Sequence, residues 1–357
     1  MPHLPRLNGS ERRFGFPSGG VSSYDGGMTE NGGKDRVRGR LAPSPTGALH
    51  LGNARSFMIA WLSVRRRGGS LILRMEDLDH PKNKPGAAEE ALEDLRWLGF
   101  DWDEGPDIDG PHAPYTQTRR TGLYARALES LRGQGLAYPC VCSRRDVEAG
   151  QSAPHTEDGL YYPGICRERF ADYGAARLAL PPGRLPAWRF RVPEGTVRFE
   201  DGFHGACEQD VAAFSGDFVL ARDEGGAGYM LAVVVDDAAM GVTEVVRGDD
   251  LLPATPRQLL LYRALGLEPP AFVHVPLVVS EDGRRLAKRH GDTRIRALRE
   301  AGVAPETVVG LLAWWSGWAA WGERVSLREL LPRFDLGVLP RGPAVLTPRV
   351  KDLLGIV

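Results

Sequence analysis

The chain has 357 residues, 42% of them apolar and 25% charged, with a formal net charge of −1. That length predicts two or three units with ample core, and no window reaches the roughly 18 uncharged apolar residues a membrane span needs. The near-neutral balance excludes a globally basic nucleic-acid binder. Any nucleic acid has to be held by local patches such as Arg65-Arg66-Arg67, or Arg289 with Arg294, Arg296 and Arg299, although arginine runs are more often solvated helix faces.

Residues 1–36 are rich in Gly, Ser and charge with little periodicity, so a disordered tail is expected. No apolar segment follows the early basic residues, which excludes a secretory signal, and Met28 is an alternative start. Val37 to Leu41 reads as a strand, and Ala54, Phe57, Met58, Trp61 and Leu62 have helical spacing. Between them lies Ala42-Pro43-Ser44-Pro45-Thr46-Gly47-Ala48-Leu49-His50-Leu51-Gly52-Asn53, a stiffened turn that opens onto a helix N-terminus. Free N–H groups there suit phosphate, and His50 adds a donor on the same rim. By itself this is an ordinary Pro/Gly turn. Far downstream, however, Arg285-Leu286-Ala287-Lys288-Arg289 forms a second basic loop able to reach the same phosphates.

Ser70 to Met75 reads as a buried strand followed by Glu76, Asp77 and Asp79, and Ala87–Leu98 and Leu123–Leu131 read as helices. From Tyr138 to about Ala227 the pattern changes to short strands and turns. Met230–Val235 then predicts a second apolar strand ending in Asp236-Asp237, and Val273–Val279 a third. The sum is an α/β fold with one parallel sheet interrupted by an inserted module, its ligand groups at the carboxyl ends of the strands. Beyond Lys288, Ala304–Trp318 and Leu327–Phe334 look helical, with Trp314, Trp315, Trp318 and Trp321 packing a small core. The expected division is a tail (1–36), a first catalytic half (37–137), the inserted module (138–227), a second catalytic half with the basic loop (228–290) and a helical segment (291–357).

Four cysteines make no disulfide framework in a chain of this size. Cys140-x-Cys142 with Tyr162-x3-Cys166 is a candidate site for structural Zn²⁺, with Tyr161, His155 and Cys207 as substitute ligands. On spacing alone, three buried free thiols are an equal reading.

The segment Pro43–Asn53 resembles the first signature of class I aminoacyl-tRNA synthetases in its glutamyl form, and Arg285–Arg289 resembles the second. Leu73-Arg74-Met75-Glu76-Asp77 and Gly241–Gly248 fit the same family at family spacing. The resemblance implies a Rossmann-type catalytic domain that joins L-glutamate to ATP with Mg²⁺. It implies ATP contacts at Pro43, Gly47, His50, Gly52, Asn53 and Lys288, with His50 and Lys288 catalytic. For glutamate it implies Arg40 with Leu41, Ala42, Pro43 and Ser44, then Arg247 for the carboxylates, Glu76 for the ammonium and Tyr229 closing the pocket. Arg285 and Ala287 depart from the usual Lys-x-Ser-Lys loop, while Lys288 keeps its second lysine.

The Cys-x-Cys…Tyr-x3-Cys pattern is similar to that of the glutamyl-queuosine branch, which favours one zinc per chain. That branch lacks the large anticodon-reading domain of glutamyl-tRNA synthetases, for which too little chain follows Lys288. The resemblance therefore implies glutamate transfer to queuosine in the anticodon of tRNA(Asp) by a cytoplasmic monomer. A minimal glutamyl-tRNA synthetase charging a 3′ end and a silent RNA-binding paralogue are the alternatives.

Overall fold

A computed structural model describes residues 37–78, 82–149, 161–222, 226–284, 286 and 292–356. The expected tail, His155, and the second basic loop apart from Leu286 lie outside the described residues.

Strand β1 (Arg38–Leu41) pairs in parallel with β2 (Ser70–Leu73), Leu41 opposite Leu73. The connection between them is α1 (Leu51–Arg65). His50 caps it through a reciprocal box: its Nδ1 accepts from Gly52 N–H at 3.1 Å and Asn53 Oδ1 accepts from His50 N–H at 3.4 Å. Most of α1 is buried all round, as befits a helix clamped between a sheet and further helices. Arg55, 1% exposed, fixes that clamp by donating to the carbonyls of Pro276 (2.6 Å) and Trp315 (3.3 Å) and to Ser316 Oγ (3.2 Å). Burial holds its guanidinium down to about 10, opposed by Asp249.

Helices α2 (Ala87–Trp97) and α3 (Thr121–Gly133) follow. The inserted stretch begins with β3 (Ala137–Cys140) and short helices α4 (Arg144–Ala149) and α5 (Tyr173–Leu178). It continues with β4 (Ala187–Phe190), the hairpin β5 (Thr196–Asp201) and β6 (Gly205–Asp210), α6 (Val211–Phe214) and β7 (Val219–Ala221). Strands β3, β4 and β7 form an antiparallel sheet of their own. The hairpin instead joins the main body, where Asp201 bridges in parallel to Phe272. Because β6 runs antiparallel to β5, the sheet that the hairpin joins is mixed and not purely parallel.

Met230–Val235, read as a strand, is the centre of helix α7 (Tyr229–Ala239). A short apolar run has no periodicity to separate buried helix from buried strand, and here helix packing overrides the β-branched Val233-Val234-Val235. Next come β8 (Glu244–Gly248), α8 (Thr255–Leu265) and β9 (Ala271–Val275); β8 and β9 pair in parallel. Thr243 N–H donates to the Arg38 carbonyl at 2.8 Å, which sets β8 beside β1. The predicted third strand is divided: β9 stops before Pro276, and β10 (Val278–Ser280) pairs in parallel with the late strand β11 (Ala344–Leu346).

The remaining helices are α9 (Ile295–Glu300), α10 (Pro305–Trp315), α11 (Leu327–Leu330) and α12 (Pro348–Leu354). Trp315 and Trp318 are buried in the same core as α1, and Trp314 and Trp321, edge-to-face with each other at 4.7 Å, pack against it. The expected tryptophan core is thus continuous with the main core. Among the described residues no helix is long and apolar enough to cross a membrane.

Candidate active site

A cleft of about 380 Å³ opens at the carboxyl ends of β1, β2 and β8 and the N-terminus of α1. Arg40, Ala42, His50, Gly52, Asn53, Glu76, Tyr229 and Arg247 all line it. Leu41, Pro43, Ser44 and Gly47 do not. Alternation along an extended segment explains the first two, because Arg40 and Ala42 face the cleft while Leu41 and Pro43 are buried on the other side. Ser44 is exposed, and its hydroxyl reaches Thr46. Lys288 lies outside the described residues; Leu286 lines the cleft.

Two glycines make room. A Cβ on Gly52 would come within 3.0 Å of the His50 ring, and one on Gly248 within 2.6 Å of Asp250 Oδ1. Asp250, Ser56, Phe57, Leu251, Leu277 and Val278 complete the walls, none of them expected from the sequence.

Beneath the cleft runs a buried charge network. Arg74, fully buried, donates to Glu76 Oε1 at 2.9 Å and to Asp237 Oδ1 at 2.6 Å, and its Nε lies 3.9 Å from Asp236. Asp236 also accepts from Gln117 (2.9 Å), Arg120 (2.6 Å) and the Tyr124 hydroxyl (2.8 Å). Arg40 donates to the Val246 carbonyl at 3.1 Å and stands 3.9 Å from Asp237, with its buried Nε lacking a hydrogen-bond partner among the described residues. Burial lifts the Glu76 carboxyl above its ordinary value, partly offset by Arg74 and Arg40. A cation placed against Glu76 would reverse that shift and so be bound favourably.

Arg247 is braced from behind: Nε donates to His274 Nε2 at 2.9 Å, and Nη2 to Thr255 Oγ1 (2.9 Å) and Gln258 Oε1 (2.8 Å). Burial lowers its affinity for its proton, as expected of a cation that awaits an anion. His274, a lone polar residue in the apolar run Phe272–Val275, was the only sequence signal for this bracing.

In the inserted stretch, the sulfurs of Cys140, Cys142 and Cys166 lie within 4.8 Å of one another. The Tyr162 hydroxyl is 3.3 Å from Cys140 Sγ and 3.8 Å from Cys142 Sγ, and accepts from Cys166 N–H at 2.9 Å. Arg189 donates to Cys140 Sγ at 3.3 Å and stacks over the Tyr162 ring at 3.7 Å, a cation suited to a thiolate-rich centre. A hydrogen bond from Cys140 holds Cys166 down to about 6, whereas Cys140 is pushed up by giving that bond and by burial. Three sulfurs and an oxygen at such spacings fit a closed tetrahedral site. Cys207 lies on β6, outside this cluster.

Among the described residues of the arginine patches, all but Arg66 are ion-paired. Arg65 pairs with Asp101 and Asp103, Arg67 with Glu244, Arg294 with Asp292, Arg296 with Glu90 and Glu300, and Arg299 with Glu93 and Asp94. The free phosphate-holding patches expected from the sequence are thus partly neutralised.

A family profile for tRNA synthetases class I (E and Q), catalytic domain, matches residues 36–335. The chain belongs to this family. It is a ligase of the aminoacyl-tRNA synthetase type. It is 53% identical to the glutamyl-Q tRNA(Asp) synthetase of Symbiobacterium thermophilum, over 85% of this chain and 94% of that protein. Its identity to the protein of the same name from Nitratidesulfovibrio vulgaris is 48%, over 89% and 98%. The glutamate–tRNA ligase of Heliobacterium modesticaldum is 43% identical, with 87% of this chain covering 63% of that enzyme. A crystal structure of a glutamate tRNA ligase from Elizabethkingia meningosepticum in complex with its amino acid superposes with a TM-score of 0.75 at 28% identity, covering 90% of this chain and 69% of that one.

Proposed function

We propose that this ligase activates L-glutamate with ATP and Mg²⁺ in the absence of tRNA, then passes it to queuosine in the anticodon of tRNA(Asp). The observation that carries the first half is one cleft lined by Arg40, Arg247 and Glu76, with the His50-capped N-terminus of α1 on its rim. Two cations and one acid match the two carboxylates and one ammonium of glutamate. An arginine fork facing the side-chain carboxylate rejects glutamine, whose amide would set donor against donor. Tyr229, the first residue of α7, closes the pocket.

In the reaction a glutamate carboxylate oxygen attacks the α-phosphorus of ATP. The bond to the bridging oxygen breaks and pyrophosphate leaves. The nucleophile is already ionised, so no general base is needed; alignment and charge stabilisation do the work. We assign phosphate contacts to the α1 N-terminus, His50 and Asn53, and stabilisation of the transferring phosphoryl group to Lys288. A queuosine hydroxyl then attacks the glutamyl carbonyl and AMP departs.

The second half is supported by relatives named glutamyl-Q tRNA(Asp) synthetase, which are matched over nearly their whole length. We assign the stretch 138–227 to RNA docking and its Cys140, Cys142, Tyr162 and Cys166 to one structural Zn²⁺, which would stiffen that stretch. The protein is expected to act in the cytoplasm as a monomer. Pyrophosphate exchange into ATP tests the activation step. It should depend on glutamate, ignore aspartate and glutamine, and need no RNA; a strict RNA requirement would return the protein to the minimal glutamyl-tRNA synthetase reading.

A further inference from the structure

We infer that Asp201 and His274 are positioning residues for glutamate recognition, setting the orientation of Arg247 through a fixed imidazole tautomer. The inference rests on reading Arg247 as a contact of the substrate carboxylate.

His274 is 0% exposed and both ring nitrogens are engaged: Nδ1 lies 2.6 Å from Asp201 Oδ2 and Nε2 lies 2.9 Å from Arg247 Nε. An arginine N–H can only donate. Nε2 must therefore present its lone pair, and the ring proton sits on Nδ1, donated to Asp201. The Asp201 carboxylate is in turn held by the backbone N–H groups of Phe203 (3.0 Å), His204 (2.9 Å) and His274 (3.2 Å). With Nε committed to His274 and Nη2 to Thr255 and Gln258, Nη1 has no hydrogen-bond partner among the described residues and is left for a ligand carboxylate. The guanidinium thus reaches the cleft with one edge free and its rotation blocked.

The device also joins two parts of the chain. Asp201 ends β5, in the inserted stretch, whereas Arg247 and His274 belong to the parallel pair β8 and β9, opposite one another in register. The Asp201 carboxylate thereby adds a side-chain tie between the inserted hairpin and the glutamate pocket, beside the backbone bridge from Asp201 to Phe272.

Asp201→Asn makes the sharpest test. Its Oδ1 would remain with the backbone N–H groups of Phe203 and His204, so its amide would face His274 Nδ1 as a donor. The ring proton would then move to Nε2, where it opposes Arg247 Nε–H. In pyrophosphate exchange we expect the KM for glutamate to rise about ten- to a hundredfold while the KM for ATP stays within about twofold. Nitrogen-15 spectra of the ring should show the proton moving from Nδ1 to Nε2. His274→Gln, which keeps an oxygen acceptor towards Arg247, should lie between wild type and His274→Phe, and it carries the test if Asp201→Asn does not fold. Arg247→Ala run in parallel separates the two claims. If it loses glutamate while Asp201→Asn and His274→Gln keep the wild-type KM, the positioning role is overturned alone. An Arg247→Ala variant with wild-type glutamate KM overturns the underlying reading of Arg247.

Discussion

Arg74 and Asp237 meet at 2.6 Å beneath the cleft, both essentially inaccessible to water, and this ion pair ties the end of β2 to helix α7. Asp237 also faces Arg40, so one carboxylate orders two of the arginines around the pocket. Without Asp237, Arg74 would keep Glu76 and Asp236, but it would lose its shortest charged partner, and Arg40 would lose the carboxylate beside it. Asp237→Asn should therefore destabilise the protein by about 1–3 kcal/mol, read from denaturant unfolding, and weaken glutamate binding as Arg40 loosens. A loss below about 0.5 kcal/mol would mean that Glu76 and Asp236 alone satisfy Arg74.

Glu76 gives the site a pH dependence of definite sign. Burial raises its carboxyl above the ordinary 4.5, so in the empty site it takes up a proton at a higher pH than an exposed glutamate. Glutamate's ammonium needs the ionised form. The KM for glutamate should be flat around neutral pH, where the ammonium keeps its proton, and rise as pH falls through the raised pKa, starting above 4.5. Glu76→Gln should raise the KM at every pH and flatten the curve; an unchanged slope would remove Glu76 from ammonium binding.

Much of this site was legible in the sequence because its pieces are local. The turn before α1, Glu76 after β2 and Arg247 in β8 are each fixed by chain neighbours, and the cysteines by short spacings. What stayed hidden is long-range. No periodicity marked Met230–Val235 as helix, and nothing local tied Asp201 to His274. The tryptophans after Lys288 pack on α1 because Arg55 reaches across to Pro276 and Ser316, a bond no pattern announces.

Asp94 on α2 has a stability signature. It is 0% exposed, 3.3 Å from Arg299 on α9, and pushed up to about 6 by burial, Arg299 opposing. The unfolded carboxyl titrates near 3.9, so the native state binds more protons between these values, and stability falls as pH rises from about 4 to about 6. Asp94→Asn should be more stable than wild type above pH 6, by on the order of 2 kcal/mol, with the gap closing near pH 4. Thermal unfolding across that range checks it; a gap that does not narrow on acidification would contradict the assignment.

The cysteine cluster predicts one zinc per chain by elemental analysis of the purified protein, lost on Cys140→Ser or Cys166→Ser. Chelation should loosen the inserted stretch and impair transfer to RNA more than adenylate formation. Stoichiometric zinc in a Cys140/Cys142/Cys166 triple variant would move the metal elsewhere.

Arginine patches that are partly neutralised by their own carboxylates still leave transfer to RNA sensitive to salt, but with a shallower slope than free patches would give. Arg66, which donates to the Leu331 carbonyl and is exposed, is the member of its run whose replacement by Ala should weaken transfer without touching adenylate formation. An equal fall in both activities would place its role in folding.

The acceptor decides the account. Radiolabelled glutamate is incubated with the enzyme, ATP and Mg²⁺, and with tRNA(Asp) that either carries queuosine or lacks it. Label should appear only on the queuosine-bearing tRNA and should vanish after periodate oxidation of the queuosine diol. Equal labelling of unmodified tRNA(Asp) or of tRNA(Glu) would contradict transfer to queuosine and make the protein a 3′-end synthetase.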